Sequence, residues 1–339
     1  MNRNKACVNR SRISGYVKSC LAVVMMICVS CGGDDSGDES AESVLHPRAY
    51  VKLKEVNYLS QMMNVDYDSF GRMSRVTRPV NNGTDEEYVA FRYCGADSIV
   101  VEQCSWDVSR FAPNSVNMKS HEPETVCYLR DGKIVKQVEK FYCPKEFSPV
   151  KTLHSVDSTV YDYQGDRLAR KRVYTKSELV SSGGRAIYRL VADELYHWNG
   201  GVLDKITWTT TSPGSSSLYF YEVSFGYNTN RANSFCPYTN IEFVRRGGFF
   251  LDHSLYLADM GFFGKCPEFD ITSITQKCTP QSAESEYYFV GNYAYQYDAA
   301  GNIVNLDVQT ESYSVTVANG EKHSVGGSQY KGIVFSWMP

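Results

Sequence analysis

The side chains that carry most enzyme and metal chemistry are present in this chain but not at working spacings. The six histidines, His46, His121, His154, His197, His253 and His323, stand alone, with no HxH or HExxH pair and no acid at ligand spacing. Neither a metal site nor a histidine base is therefore assembled locally. His197 lies between Tyr196 and Trp198, but strand alternation points it to the face opposite both rings. Asp66 and Asp68 would serve as paired carboxylates or calcium ligands only if more oxygens converged on them, and turn chemistry accounts for these acids instead. No GxSxG, P-loop or GxGxxG motif occurs, and Gly183-Gly184, flanked by Ser181 and Ser182, reads as a loop because no strand-to-helix junction surrounds it. The residues identify no catalytic group, no metal ligand and no cofactor. A glycan-active hydrolase whose carboxylates converge from distant positions is the alternative to a non-enzymatic role.

Seven cysteines follow Cys31: Cys94, Cys104, Cys127, Cys143, Cys236, Cys266 and Cys278. They show no CxxC and no Cys/His zinc spacing, and an odd number cannot all pair. A two-residue turn at Asp131-Gly132 sets Cys127 opposite Lys136 rather than Cys143, which argues against that local bridge. Cys266 with Cys278 is the pair easiest to bring together.

These residues sit on a repeat. An apolar or aromatic residue, a spacer, then Tyr or Trp, a polar turn and an outgoing apolar run recur at Val65-x-Tyr67, Phe91-x-Tyr93, Val126-x-Tyr128, Tyr161-x-Tyr163, Tyr196-x-Trp198, Phe225-x-Tyr227 and Tyr295-x-Tyr297, mostly 26 to 35 residues apart. Such a period describes an array of β-hairpins. Within it, Tyr219, Tyr221, Val223, Phe225 and Tyr227 alternate with Glu222, Ser224 and Gly226, as a half-buried strand requires. The runs Phe289 to Tyr297 and Tyr313, Val315, Val317 are read in the same way. In Tyr67-Asp68-x-x-Gly71-Arg72 and Tyr297-Asp298-x-x-Gly301-Asn302, the Asp carboxylate is placed to accept turn N–H groups and the Gly to adopt positive φ. Asp131-Gly132, Asn199-Gly200 and Asn319-Gly320 are tighter turn signals. Helical periodicity is confined to about residues 252–262, with Asp252 as the N-cap. The expected fold is all-β: antiparallel hairpin repeats forming a large twisted, open or partly closed barrel-like sheet of about 14 to 17 strands, which cannot lie flat or leave a long edge exposed. The 134–141 strand is charged on both faces, so a lipid-facing wall is not expected, and Ile333, Phe335 and Trp337 are read as core rather than as a membrane girdle.

The N-terminus supplies a cellular address. Residues 1–30 hold five basic residues and no acid, followed by an apolar run from Cys20 to Ser30, too short to span a bilayer and read as a signal peptide. Cys28-Val29-Ser30-Cys31 resembles a bacterial lipobox, which implies cleavage before Cys31 and its lipidation, with palmitate among the acyl groups. Gly32-Gly33-Asp34-Asp35 is similar to the acidic export tag of Gram-negative surface lipoproteins. The expected organisation is therefore a lipoprotein signal over 1–30, an acidic flexible tether over 31–47 and a single β-repeat domain over 48–339. From Cys31 onward the chain carries 38 acidic against 30 basic side chains, a formal charge of −8, which speaks against a nucleic-acid partner.

The Tyr-Asp-x-x-Gly units at Tyr67 and Tyr297 resemble the tyrosine-aspartate repeats of large bacterial shell proteins, although these hairpins are too few to enclose a hollow shell. With the lipobox, Tyr196-x-Trp198-Asn199-Gly200, Tyr227-x-x-Asn230 and Gly261-Phe262-Phe263-Gly264-Lys265, the chain is similar over about residues 50–339 to a family of gut-bacterial surface lipoproteins known as a domain of unknown function with a porin-like fold. The resemblance implies an outer-membrane, lipid-anchored, surface-exposed protein and supplies no catalytic residues. The expected role is a binding or structural module with a glycan or protein ligand. Most tyrosines are assigned to packing. The irregular stretch from about 231 to 281, with Phe235, Tyr238, Phe249, Phe250, Phe262 and Phe263, is the expected site, or else a plug in the barrel mouth.

Overall fold

The structure, a computed structural model, describes residues 52–58, 61–80, 85–104, 106–107, 118–119, 124–142, 153–177, 188–211, 218–232, 253–281 and 284–338. Among the described residues the strands are β1 (Leu53–Tyr58), β2 (Gln61–Tyr67), β3 (Met73–Val80), β4 (Asp85–Cys94), β5 (Ser98–Cys104), β6 (Trp106–Asp107), β7 (Met118–Lys119), β8 (Glu124–Arg130), β9 (Lys133–Tyr142), β10 (Leu153–Gln164), β11 (Arg167–Ser177), β12 (Arg189–Asn199), β13 (Val202–Thr211), β14 (Leu218–Ala232), β15 (Phe269–Pro280), β16 (Ser285–Tyr297), β17 (Ile303–Thr316) and β18 (Lys322–Trp337), and a helix, α1 (His253–Asp259), lies between β14 and β15. All but β6 and β7, which pair with each other, form a closed antiparallel barrel of 16 strands, and β18 pairs with β1 to close it. Closure removes the edges that an open sheet of this size would expose.

Period-two alternation decides which side chains enter the barrel. Val65, Val76 and Val89 face one another across β2, β3 and β4, and Ile206 faces Val223 across β13 and β14. All are buried in a single apolar cluster that also takes in Leu306, Ile333 and Phe335. The outward phase instead carries cross-strand ion pairs, among them Arg75–Glu86, Lys140–Glu124, Arg172–Asp162 and Lys205–Glu222. Apolar inside and charged outside is the reverse of a lipid-facing barrel, whose outer band must be apolar.

A ring of 16 strands is wide enough to leave a lumen unless something fills it. Here α1 and the turn after it do so. Every residue of α1 is buried, as expected of a helix surrounded by protein. Tyr256 meets Phe91 edge-on at 6.4 Å, Phe262 lies 6.4 Å from Tyr93, and Phe263 lies 5.1 Å from Tyr161. Backbone bonds hold the turn: Ile134 N–H donates to Phe262 O (2.8 Å), Lys265 N–H to Asp166 O (2.7 Å) and Glu268 N–H to Gly201 O (3.0 Å). On the polar side of the plug, the Gln137 amide accepts from Tyr161 Oη and contacts His253 Nε2 at 2.9 Å. The expected helix is present but shorter, and Asp252 lies outside the described residues.

The repeat acquires a physical meaning in this frame. Its aromatic residue donates to the backbone carbonyl of the first or second residue of the outgoing strand one repeat back. Tyr93 Oη donates to Met73 O, Tyr163 Oη to Ile134 O, Trp198 Nε1 to Leu168 O, Tyr227 Oη to Leu203 O and Tyr67 Oη to Leu53 O, all at 2.7–2.8 Å. Trp337 Nε1 closes the series on Ile303 O. The cation just before that carbonyl covers the same ring: Arg72 over Tyr93, Lys133 over Tyr163, Arg167 over Trp198 and Lys52 over Tyr67. In the turns, Asp68 accepts from the N–H groups of Phe70 and Arg72, and Asp298 from that of Asn302, with Gly71 and Gly301 at positive φ, as expected.

Four expectations need correction. A bulge between Tyr128 and Leu129 shifts β8 against β9, so Cys127 faces Gln137 rather than Lys136; alternation from the buried Cys127 makes Leu129 rather than Tyr128 the residue that packs on the core. The β12–β13 turn residues are Gly200 and Gly201, flanked by the pair Asn199–Val202, rather than Asn199-Gly200. Tyr313 and Val315 lie on the outward phase; Tyr313 stacks on Tyr288 at 5.0 Å under Lys322, and Val317 is 62% exposed. The Cys266–Cys278 bridge is not made: Cys278 is a thiol in β15 opposite Tyr221. Cys143 lies outside the described residues.

Candidate functional site

Phe262 and Phe263, expected at a loop-borne site, belong to the plug, so their rings pack the barrel interior instead of meeting ligand. Phe235, Tyr238, Phe249 and Phe250, and Cys31 with the tether, lie outside the described residues, as do His46 and His121. Trp198 packs against the core, as strand phase predicts, while His197 points outward. No group of three or more His, Cys, Asp or Glu side chains is arranged to hold a metal among the described residues.

What the structure does present is a groove of about 440 Å³ on the barrel wall over β12–β15, a size within the range of small-ligand sites. Its apolar surface includes Leu195 and Phe220, each 43% exposed. Both are anomalies of phase. Leu195 shares its face of β12 with Asp193 and His197, and Phe220 shares its face of β14 with Glu222, so alternation places two large apolar side chains among charges on the outward wall. That signal was legible in the sequence, but reading it required knowing which phase faces out.

The polar groups around these two side chains are held in place. His197 Nε2 lies 2.9 Å from Thr207 Oγ1, and Thr279 Oγ1 donates to Glu286 Oε1 at 3.4 Å. Thr209 stands directly opposite Phe220. Asp193 accepts two bonds from the Arg170 guanidinium, at 2.7 and 2.6 Å; these bonds hold its carboxyl below the usual carboxylate range. Lys277 pairs with Glu286 at 2.8 Å, which raises the Lys277 ammonium and lowers the Glu286 carboxyl. Glu222 pairs with Lys205 at 3.2 Å. Beneath the groove Trp208 stacks on Tyr221 at 4.7 Å and an interplanar angle of 3°. Burial, with the Cys278 thiol beside it, pushes the Tyr221 hydroxyl up to about 12. The arrangement can bind through apolar contact and oriented hydroxyls. Asp193 and Glu286 are poor proton donors, because their partners stabilise the ionised form.

A crystal structure described as a porin-like protein from Bacteroides uniformis is similar to this chain, with a TM-score of 0.51 and 11% identity, covering 87% of this chain and 98% of that chain. At that identity the likeness is one of fold, and it defines the class: a porin-like antiparallel β-barrel. No family profile and no curated protein sequence matches the chain.

Proposed function

We propose that this protein is a lipid-anchored surface binding module that uses the outer groove over β12–β15 as its ligand site. The observation that carries the reading is that Leu195 and Phe220, both exposed, line one groove together with threonine hydroxyls, beside acids already committed to Arg170, Lys205 and Lys277. A hydrolase needs one carboxyl group that can hold a proton near neutral pH; ion pairing at this groove works against that state. The acyl anchor at Cys31 and the acidic tether after it complete the proposal and fit the outer-membrane address expected from the N-terminal sequence.

The test is a glycan array run beside a hydrolysis screen on the same sugars, using detergent-solubilised full chain. Binding without turnover supports the module and turnover overturns it. If neither is seen, a protein ligand at the groove is sought by crosslinking from a residue introduced at Leu195. The anchor is checked separately: Cys31→Ala should move the protein from the membrane pellet to the soluble fraction, and continued pelleting would reject acylation there.

A further inference from the structure

Register shows how the groove is laid out. Leu195 faces Thr207, Thr207 faces Glu222, and Glu222 faces Lys277. One step along the strands, Asp193 faces Thr209, Thr209 faces Phe220, and Phe220 faces Thr279. Two parallel rows thus cross β12, β13, β14 and β15 at right angles to the chain. At ~4.8 Å between neighbouring strands each row spans about 14 Å. Apolar groups occupy staggered places in the rows, Leu195 at one end of its row and Phe220 within the other, and threonine hydroxyls separate them from the charged positions. The charged members are neutralised by partners at the groove: Asp193 by Arg170, Glu222 by Lys205 and Lys277 by Glu286.

From this layout we infer that the groove takes an uncharged oligosaccharide laid across the four strands, a conclusion that rests on the binding-module reading and specifies its ligand class. A sugar ring offers a C–H face and a rim of hydroxyls, the pairing of surfaces that Phe220 and Leu195 make with Thr207, Thr209 and Thr279. An anionic glycan would need a cation to receive its charge, and Lys277, the one cation in the two rows, is already paired with Glu286. A peptide added as a further strand would need unpaired backbone groups, which a closed sheet does not offer at β12–β15. Thr207 and Thr279 are held by His197 and Glu286, so less ordering remains for a ligand to impose.

The experiment is calorimetric titration of the solubilised full chain with malto-, cello- and manno-oligosaccharides of graded length, and with oligogalacturonates of matching length. One neutral series should bind with affinity that rises with length and levels off near the span of the rows, and oligogalacturonates should not compete. Phe220→Ala should lower that affinity roughly tenfold or more without moving the thermal melt, and Thr209→Val should lower it independently, which covers the case in which the first variant folds poorly. Oligogalacturonate binding that matches or exceeds the neutral series, or neutral binding indifferent to both variants, overturns the ligand assignment while leaving a binding module in place. No saccharide binding, together with protein crosslinking at Leu195, also overturns the assignment. Turnover of a bound sugar instead overturns the module itself.

Discussion

Trp198 shows how much one repeat position carries. Its ring packs on the core, its Nε1 donates to Leu168 O at 2.8 Å, and Arg167 covers its face. Replacing it with Ala removes packing and leaves a buried carbonyl without its donor, and should cost about 3–5 kcal/mol in a denaturation measurement. Tyr163→Phe removes the hydroxyl that donates to Ile134 O at 2.7 Å, with Phe262 O at 3.4 Å, and should cost about 1 kcal/mol. Asp157 behaves differently, because burial raises its carboxyl pKa even though Thr175 Oγ1 donates to it. A carboxyl raised on folding favours the native state below its unfolded pKa, and that contribution is lost as pH rises through the folded value. Asp157→Asn, which can still accept from Thr175, should therefore raise the melting temperature at pH 7 and leave it unchanged at pH 3. A variant that melts lower at pH 7 would contradict the burial argument. These roles were only half legible in the sequence: the spacing marks Trp198 and Tyr163 as repeat positions, but the carbonyl each one reaches belongs to a strand about 30 residues earlier.

Among the elements, the α1 plug depends most on context. Its sequence is apolar enough to read as a helix or as a sticky surface loop, and only the width of a 16-strand ring makes it an interior part. Gly264 anchors its exit: φ is +82° and an added Cβ would meet the Asp166 carbonyl, so Gly264→Ala is strained in conformation and in space. The variant should melt several degrees lower, and an unchanged melt would show that the turn can shift. The bulge in β8–β9 belongs to the same scale. It puts Ile134 on the same inward face as Gln137 and Glu139, while plain alternation from Cys127 leaves Tyr128 on the outer wall. The same bulge recurs at Asp66/Tyr67, Asp162/Tyr163, His197/Trp198 and Gln296/Tyr297, each time just before the residue that packs on the core, so in β8 the equivalent position is Leu129 and the repeat read at Tyr128 is one residue out of step.

For the whole molecule, closure and filling are separate matters. The ring resembles a porin in topology, but the plug and a continuous apolar cluster occupy its interior. In a planar bilayer the purified protein should produce no stepwise conductance, and discrete channel openings would show that the plug leaves. The groove lies on the outer wall, so the proposed ligand would meet the side of the barrel rather than its lumen.

Local physics made the hairpin array readable from residues alone. Alternation, Asp-x-x-Gly turns and a recurring Tyr or Trp each act within a few residues, and together they specify antiparallel β-structure and the number of strands to within a few. Long-range closure decided the rest. Whether β18 meets β1, which phase faces out, where α1 comes to rest and how Leu195 and Phe220 come to share a groove all depend on contacts between residues far apart in the chain. No short spacing encodes such contacts, because loop closure brings them together only when the whole sheet has curled.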